Sequence, residues 1–268
     1  MVRIVRILIV LGLIGFGMYL IAQGWSSKPR ASEISPPTTP VNQPSATPEP
    51  TSTISSVPVL MYHYIRAYND PEDQIGINLS VAPQTFARQL DYLIEHGYTS
   101  ATLNDFVEHR LKEKSVILTF DDGYADHYTE AFQALAARAM TGTFYIVTNA
   151  VGKSGSLTWD QIRQMQAAGM QIESHGPSHR DLTILSQKDQ LTELVESKKT
   201  IEKELGKIVR HFCYPSGRYT AETPALVKSA GYETAVTTKA GVASYTVNPY
   251  ELPRVRVNNT TNFSAILP

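Results

Sequence analysis

Ser115–Tyr124 reads SVILTFDDGY, an apolar run that ends in two adjacent carboxylates and a glycine. Val116, Ile117 and Leu118 have the composition of a strand buried on both faces, and Gly123 lets the chain turn directly after it. Asp121 and Asp122 then stand at the carboxyl end of a strand. Two neighbouring charges at the rim of an apolar core are costly unless a cation, a hydrogen-bond network or a chemical task holds them. A solvated turn is the alternative, because Asp-Gly is also an ordinary turn dipeptide.

Outward from this stretch, strands and helices alternate. Pro58–Tyr62 is a short apolar strand that ends at His63. Pro83–Gly97 keeps Phe86, Leu90, Leu93 and Ile94 on one helical stripe. A short unit over Tyr98–Lys114 precedes the Asp-Asp strand, and a helix over Asp126–Met140 leads into the strand Thr143–Val147. Thr158 caps a helix that Gly169 ends, and Met170–Ser174 runs as a strand into His175. Helix Gln187–Leu205, strand Val209–Tyr214, helix Glu222–Ala230, strand Glu233–Thr237 and an extended segment Tyr250–Val257 complete the chain. The alternation predicts an α/β fold, a distorted or incomplete (β/α) barrel of about seven strand-helix units.

The 268 residues are 42% hydrophobic and 18% charged with a net charge of -1, so one globular domain with appendages is expected and a basic nucleic-acid surface is not. Cys213 is the single cysteine, which excludes an intramolecular disulfide. Arg3 and Arg6 precede an apolar run, Ile7–Ala22, with no charge before Lys28. A run of that length suits either a bilayer span or a cleaved signal peptide ending near Ala22-Gln23-Gly24, and both send the rest of the chain across the membrane. Residues 1–25 are therefore assigned to a signal or anchor. Residues 26–57 hold seven prolines and thirteen serines or threonines and almost no large apolar side chains, which predicts a disordered spacer. Residues 58–268 form the folded domain, expected to be a monomer.

The polar residues that stand out follow strands: His63, Asp121, Asp122, His175 and the turn Tyr214-Pro215-Ser216-Gly217. In a parallel barrel all such positions share one face, where active sites are built. Ser174-His175-Gly176-Pro177-Ser178-His179 sets two imidazoles four residues apart across a Gly-Pro turn. With one aspartate they offer two nitrogens and one oxygen, a three-ligand set that leaves a divalent metal an open position for water. The second aspartate is then free to serve as base toward that water.

Thr119-Phe-Asp-Asp-Gly123, Ser174-His-Gly-Pro-Ser-His179 and Phe212-Cys-Tyr-Pro-Ser-Gly217, in this order, resemble the first three motifs of the polysaccharide deacetylases, the NodB-homology group or carbohydrate esterase family 4. Leu60-Met-Tyr-His63 and Leu252-Pro-Arg-Val255 resemble the branch that includes exported poly-N-acetylglucosamine deacetylases. The resemblance covers Pro58–Pro268. It implies a distorted barrel and metal-dependent removal of acetyl groups from N-acetylated sugars in an aminosugar polysaccharide, with Asp121 as base and Asp122, His175 and His179 as ligands of a divalent metal, zinc first, cobalt or nickel also fitting. The turn at Tyr214, Pro215 and Ser216 would bind substrate, and the Ser216 backbone N–H would hold the oxyanion.

Two departures bear on this. Cys213 and Ser216 stand where many members carry an arginine and an aromatic residue, and the family's final Leu-x-His motif is not visible. Arg254 is the candidate to orient the base, with a surface cation as its alternative; His63 is the candidate acid or substrate ligand, with a structural histidine as its alternative. His96, His109, His127 and His211 are expected at the surface. Cys213 and Trp159 are read as packing residues. Two other readings stay open: an O-acetyl esterase acting on xylan-like glycans, and a catalytically silent carbohydrate-binding module.

Overall fold

The computed structural model describes residues 54–267. In chain order these residues form β1 (Ser56–Val57), β2 (Val59–Tyr62), α1 (Gln74–Leu79), α2 (Pro83–Glu95), β3 (Thr99–Ala101), α3 (Leu103–Val107) and β4 (Ser115–Phe120). A π-helical turn over His127–Phe132 precedes α4 (Gln133–Ala136), then β5 (Thr143–Ile146), α5 (Trp159–Ala167), β6 (Gln171–Ser174) and α6 (Gln187–Leu205). β7 (His211–Cys213), α7 (Thr223–Ser229), β8 (Thr234–Ala240), β9 (Ala243–Ser244), β10 (Leu252–Arg256) and α8 (Phe263–Ile266) follow.

Seven parallel strands close a ring in the order β2, β10, β8, β7, β6, β5, β4, and the pairing of β4 with β2 from Val59↔Ile117 to Tyr62↔Phe120 shuts it. The expected barrel is therefore closed. β3 lies outside the ring: it pairs with the first half of β4, and β5 takes the second half of that edge. With both edges paired and all six residues buried, β4 is apolar except for Ser115 and Thr119, whose hydroxyls are hydrogen-bonded within the chain.

Alternation along the strands builds two cores. Residues facing outward, among them Leu60, Leu118, Phe144 and Phe212, pack under the helices with Phe86, Leu90, Leu194 and Ile201. Inward, Val59, Ile117, Tyr145, Cys213, Val236 and Leu252 fill the barrel, one from each of six strands. Burying a side chain such as Leu118 contributes about 1.5–3 kcal/mol, and truncating it to alanine would cost about 2–5 kcal/mol. α3 covers the barrel base: the Leu103 N–H donates to Gln171 Oε1 at 3.1 Å, and Asn104 Oδ1 meets His211 Nε2 at 2.9 Å.

Local signals set several boundaries as the residues predict. α6 spans Gln187–Leu205, capped by Ser186 and ended by Gly206 at φ 63°. α5 opens on a capping box between Thr158 and Gln161. Three expectations change. The predicted helix 126–140 opens as a π turn, and its helical part ends at Ala136. His127 and His211 are fully buried rather than at the surface, whereas His96 and His109 are exposed. The ordered domain starts before residue 58: Ser56 and Val57 pair antiparallel with Ser244 and Ala243, and Val57 is buried in the inner core. The signal or anchor at 1–25 and the spacer up to residue 53 lie outside the described residues. Among those described, no helix is long and apolar enough to cross a membrane.

Candidate active site

The carboxyl end of β4 delivers both aspartates to the barrel mouth. The Asp121 N–H donates to the Tyr62 carbonyl at 3.0 Å and continues the pairing with β2 by one residue. Asp122 at φ 78° and Gly123 at φ 73° then turn the chain sharply. Left-handed backbone costs a non-glycine residue about 1–2 kcal/mol. His179 at φ 53° and Ser216 at φ 54° adopt it too, so three site residues hold conformations that the surrounding fold must enforce.

Asp121 is 2% exposed and locked by Arg254, which is fully buried. The guanidinium grips the carboxylate with two bonds, NH1 to Oδ1 at 2.8 Å and NH2 to Oδ2 at 2.7 Å. Its other donors reach the Thr237 carbonyl, Thr119 Oγ1 and Cys213 Sγ, so all five N–H groups are satisfied. Burial alone would raise the Asp121 carboxyl, but the charge and hydrogen bonds of Arg254 overrule it and hold the group well below the usual carboxylate range. Arg254 is thus no surface cation. Cys213 is buried as expected, and its sulfur also completes the shell around this ion pair.

Asp122, His175 and His179 converge beside it. Asp122 Oδ1 lies 3.3 Å from His175 Nε2 and 3.2 Å from His179 Nε2, and the three donor atoms lie within 4.8 Å of one another. His175 Nδ1 meets the Cys213 carbonyl at 2.7 Å. A carbonyl only accepts, so Nδ1 carries a hydrogen and the neutral ring offers Nε2 to a metal. Burial would lower His175, yet Cys213 and Asp122 raise it well above the ordinary histidine value. The site therefore favours positive charge at His175 Nε2, a preference that a divalent ion in place of a proton would meet. Two imidazole nitrogens and one carboxylate oxygen at this spacing fit a zinc-type ion.

His63 Nε2 stands 3.8 Å from Asp121 Oδ2, beyond hydrogen-bond reach. Burial lowers it to about 4 against the pull of Asp121 and Asp122, so the imidazole is neutral at neutral pH. His127, one of the buried histidines, places Nε2 2.6 Å from the His63 carbonyl and props that strand end. Tyr214 is 1% exposed, held by its hydroxyl on the Tyr250 carbonyl at 2.9 Å. In the turn that follows, the Gly217 N–H donates to the Tyr214 carbonyl, while Ser216 makes no hydrogen bond among the described residues. Gly217 is required here: at φ 67°, an added Cβ would lie 2.0 Å from Thr238 Oγ1.

These groups line a cavity of about 510 Å³. Its walls contain His63, Asp121, Asp122, His175, His179, Tyr214 and Ser216; Pro215 is buried and does not line it, so that part of the expected substrate contact is corrected. Tyr124, Thr238, Arg256 and the α1 residues Ile75, Asn78 and Leu79 line it as well, and no sequence motif marks them. One cue exists: in Leu252-Pro-Arg-Val-Arg256, strand alternation puts Arg256 on the same face as Arg254.

A family model described as polysaccharide deacetylase matches residues 108–235. The Bacillus subtilis (strain 168) protein YxkH, assigned to the polysaccharide deacetylases, is 32% identical over 216 residues, 79% of this chain and 75% of that one. The poly-β-1,6-N-acetyl-D-glucosamine N-deacetylase of Staphylococcus epidermidis is 26% identical over 234 residues, covering 76% of this chain and 80% of its own. Among solved structures, the Streptococcus pyogenes deacetylase PplD in complex with acetate superposes with a TM-score of 0.74 at 30% identity, covering 80% of this chain and 99% of that one. A barrel and a sequence shared to this extent, with the motif residues gathered at one mouth, mean that the chain belongs to the polysaccharide deacetylases.

Proposed function

We propose that the protein is a metal-dependent hydrolase that removes N-acetyl groups from N-acetylglucosamine-containing polysaccharide: peptidoglycan, poly-N-acetylglucosamine or chito-oligosaccharide. The observation that carries this reading is the convergence of Asp122, His175 and His179 within one ion's reach, beside an Asp121 kept ionised by Arg254. The named activity of the Staphylococcus epidermidis relative supports an amide rather than an ester as the bond broken.

Asp122, His175 and His179 would hold the metal, zinc or in its place cobalt or nickel, which when bound supplies Lewis-acid polarisation of the acetamide carbonyl and acidifies the attacking water. Asp121 is the base that takes the water's proton. Its clamp by Arg254 keeps the carboxylate ionised and fixed, which matters because proton transfer needs the acceptor within about 3 Å of its proton's donor. The cost is a weaker base, and acidification of the water offsets it. Among the described residues the Ser216 backbone N–H, at the cavity wall, has no internal acceptor, which makes it a ready donor for the oxyanion as the carbonyl becomes tetrahedral. His63, neutral and close to Asp121, either passes a proton to the departing amine or binds the sugar.

We place this domain outside the cytoplasm, tethered by residues 7–22 or released after signal cleavage, and read it as a monomer. The test is acetate release from chito-oligosaccharide, poly-β-1,6-N-acetylglucosamine and peptidoglycan with added zinc, cobalt or nickel, beside acetyl-xylan. Release from the amide substrates, abolished by chelator and restored by metal, is expected. Release only from acetyl-xylan would move the reading to an ester hydrolase. Glycan retention without acetate under every metal would leave a binding module.

A further inference from the structure

β10 carries three side chains of one face up the barrel. Leu252 sits in the inner core, Arg254 is consumed by Asp121, and Arg256 emerges at the rim of the catalytic cavity. The Arg256 side chain makes no hydrogen bond or ion pair among the described residues. Other exposed cations behave differently: Arg218, just after the Ser216 turn, pairs with Asp181 at 2.7 Å, and Lys239 on β8 pairs with Glu251 at 3.0 Å. The carboxylates that line the cavity with Arg256 are already committed, Asp121 to a bidentate guanidinium and Asp122 to two imidazoles. A surplus positive charge therefore faces the space that a glycan must enter. Partial burial and the charge of Arg254 both work against this guanidinium, more than the attraction of Asp121 returns. An anion arriving with the substrate would relieve that cost and form a charge-assisted contact.

We propose that Arg256 recognises a carboxylate or phosphate substituent carried by the glycan next to the acetylated sugar, so that the preferred substrate is an acidic aminosugar polymer. This rests on the deacetylase reading and narrows its substrate. Such a contact lies away from the reacting carbonyl, so it acts on substrate affinity and leaves the chemical step alone.

The experiment uses the metal-loaded protein and three N-acetylated oligosaccharides of equal length: a neutral chito-oligomer, a glycan strand bearing lactyl-ether carboxylates, and a chito-oligomer bearing phosphate. KM for at least one acidic substrate is expected about tenfold below that for the neutral one, with similar kcat, and the gap should shrink as salt rises. Whichever acidic arm shows the gap names the source of the anion. Arg256→Gln should erase the difference between acidic and neutral substrates, and Arg256→Lys should keep part of it. A wild-type enzyme that treats all three alike or prefers the neutral one overturns the proposal, as does a preference that survives in Arg256→Gln. Acetate from the neutral glycan alone leaves the deacetylase reading standing and removes this one. No acetate from any of the three removes both.

Discussion

The mouth and the base of the barrel both bury charge, with opposite results. At the base, Glu173 is fully buried and accepts from the backbone N–H groups of Arg210 at 2.9 Å and His211 at 2.8 Å, with Lys207 Nζ 3.2 Å away. Burial pushes its carboxyl up, since one partly exposed ammonium and two amides do not offset desolvation. At the mouth, Asp121 is as deeply placed yet is held well below the usual range, because Arg254 meets both its oxygens. His211 closes the contrast: Thr234 Oγ1 at 2.8 Å and Asn104 Oδ1 at 2.9 Å use both ring nitrogens. His175 and His179 direct their Nε2 atoms at a shared carboxylate instead, with room for an ion. Buried polar groups satisfied inside the chain maintain the fold. Those that keep donor capacity toward a cavity are available for chemistry.

The contrast breaks most plainly at Asp121. Asp121→Asn preserves the side chain's shape but removes the base, and acetate release should fall about 1000-fold, within the range assigned to general base catalysis. Retention of more than a tenth of the activity would mean that Asp121 does not take the proton. Arg254→Met tests the clamp itself. It leaves a buried carboxylate unpaired, which costs about 3–5 kcal/mol and should appear as a lowered thermal midpoint, and the acid-side loss of activity should set in at higher pH because burial then raises the Asp121 carboxyl. An unchanged melting curve would show that the pair contributes nothing to the fold.

Gly217→Ala sharpens the comparison at the turn that carries Ser216. A Cβ would meet Thr238 Oγ1 in a left-handed residue, so a stability loss of about 1–2 kcal/mol and a lower kcat are expected together. A normal kcat in a folded Gly217→Ala protein would argue against the Ser216 N–H as oxyanion donor.

The base predicts a pH effect. Burial and the charges of Arg210, Lys207 and Lys198 lower His211 well below its usual value, so it stays neutral in the fold and gains a proton only on unfolding. The unfolded chain then binds more protons below about pH 6.5, and stability falls as pH drops through that point. His211→Gln should remove up to about 2 kcal/mol of the loss between pH 6.5 and pH 5, read from denaturant melts at each pH. The Asp121 carboxylate acts elsewhere on the scale. Its folded value is depressed, so its stabilisation is intact above the ordinary carboxylate range and is lost only as pH falls below it. Glu173→Gln has the smallest expected effect: a stability change within about 1 kcal/mol and activity within about twofold, measured by melting and acetate release. A large loss of activity there would erase the distinction between the two ends.

Features set by local residue order are legible in the chain itself. The bounds of α6 follow from its apolar spacing between Ser186 and Gly206, and the strand that presents Asp121 and Asp122 follows from five apolar or β-branched positions, Val116 to Phe120, ahead of a glycine turn. His63, His175 and the Ser216 turn stand out as polar residues at strand ends. The burial of His127 and His211 does not, because it depends on what arrives opposite them: the His63 carbonyl for one, α3 folding under the barrel for the other. α1 is equally hidden, being six residues held by an Asp73 cap and no amphipathic stripe long enough to read.

Sequence alone determined the alternation of strands and helices, the chemistry of the residues at strand ends and the likeness to one family, since period, turn residues and motif order are local properties of a chain. Tertiary structure decided which of those side chains share a charge. Arg254 lies 133 residues from Asp121, and Cys213 joins them from a third strand. Only closure of the ring, through the pairing of β2 with both β4 and β10, brings these strands around one interior. Electrostatic contact depends on distance in space and on burial, and separation along the chain encodes neither.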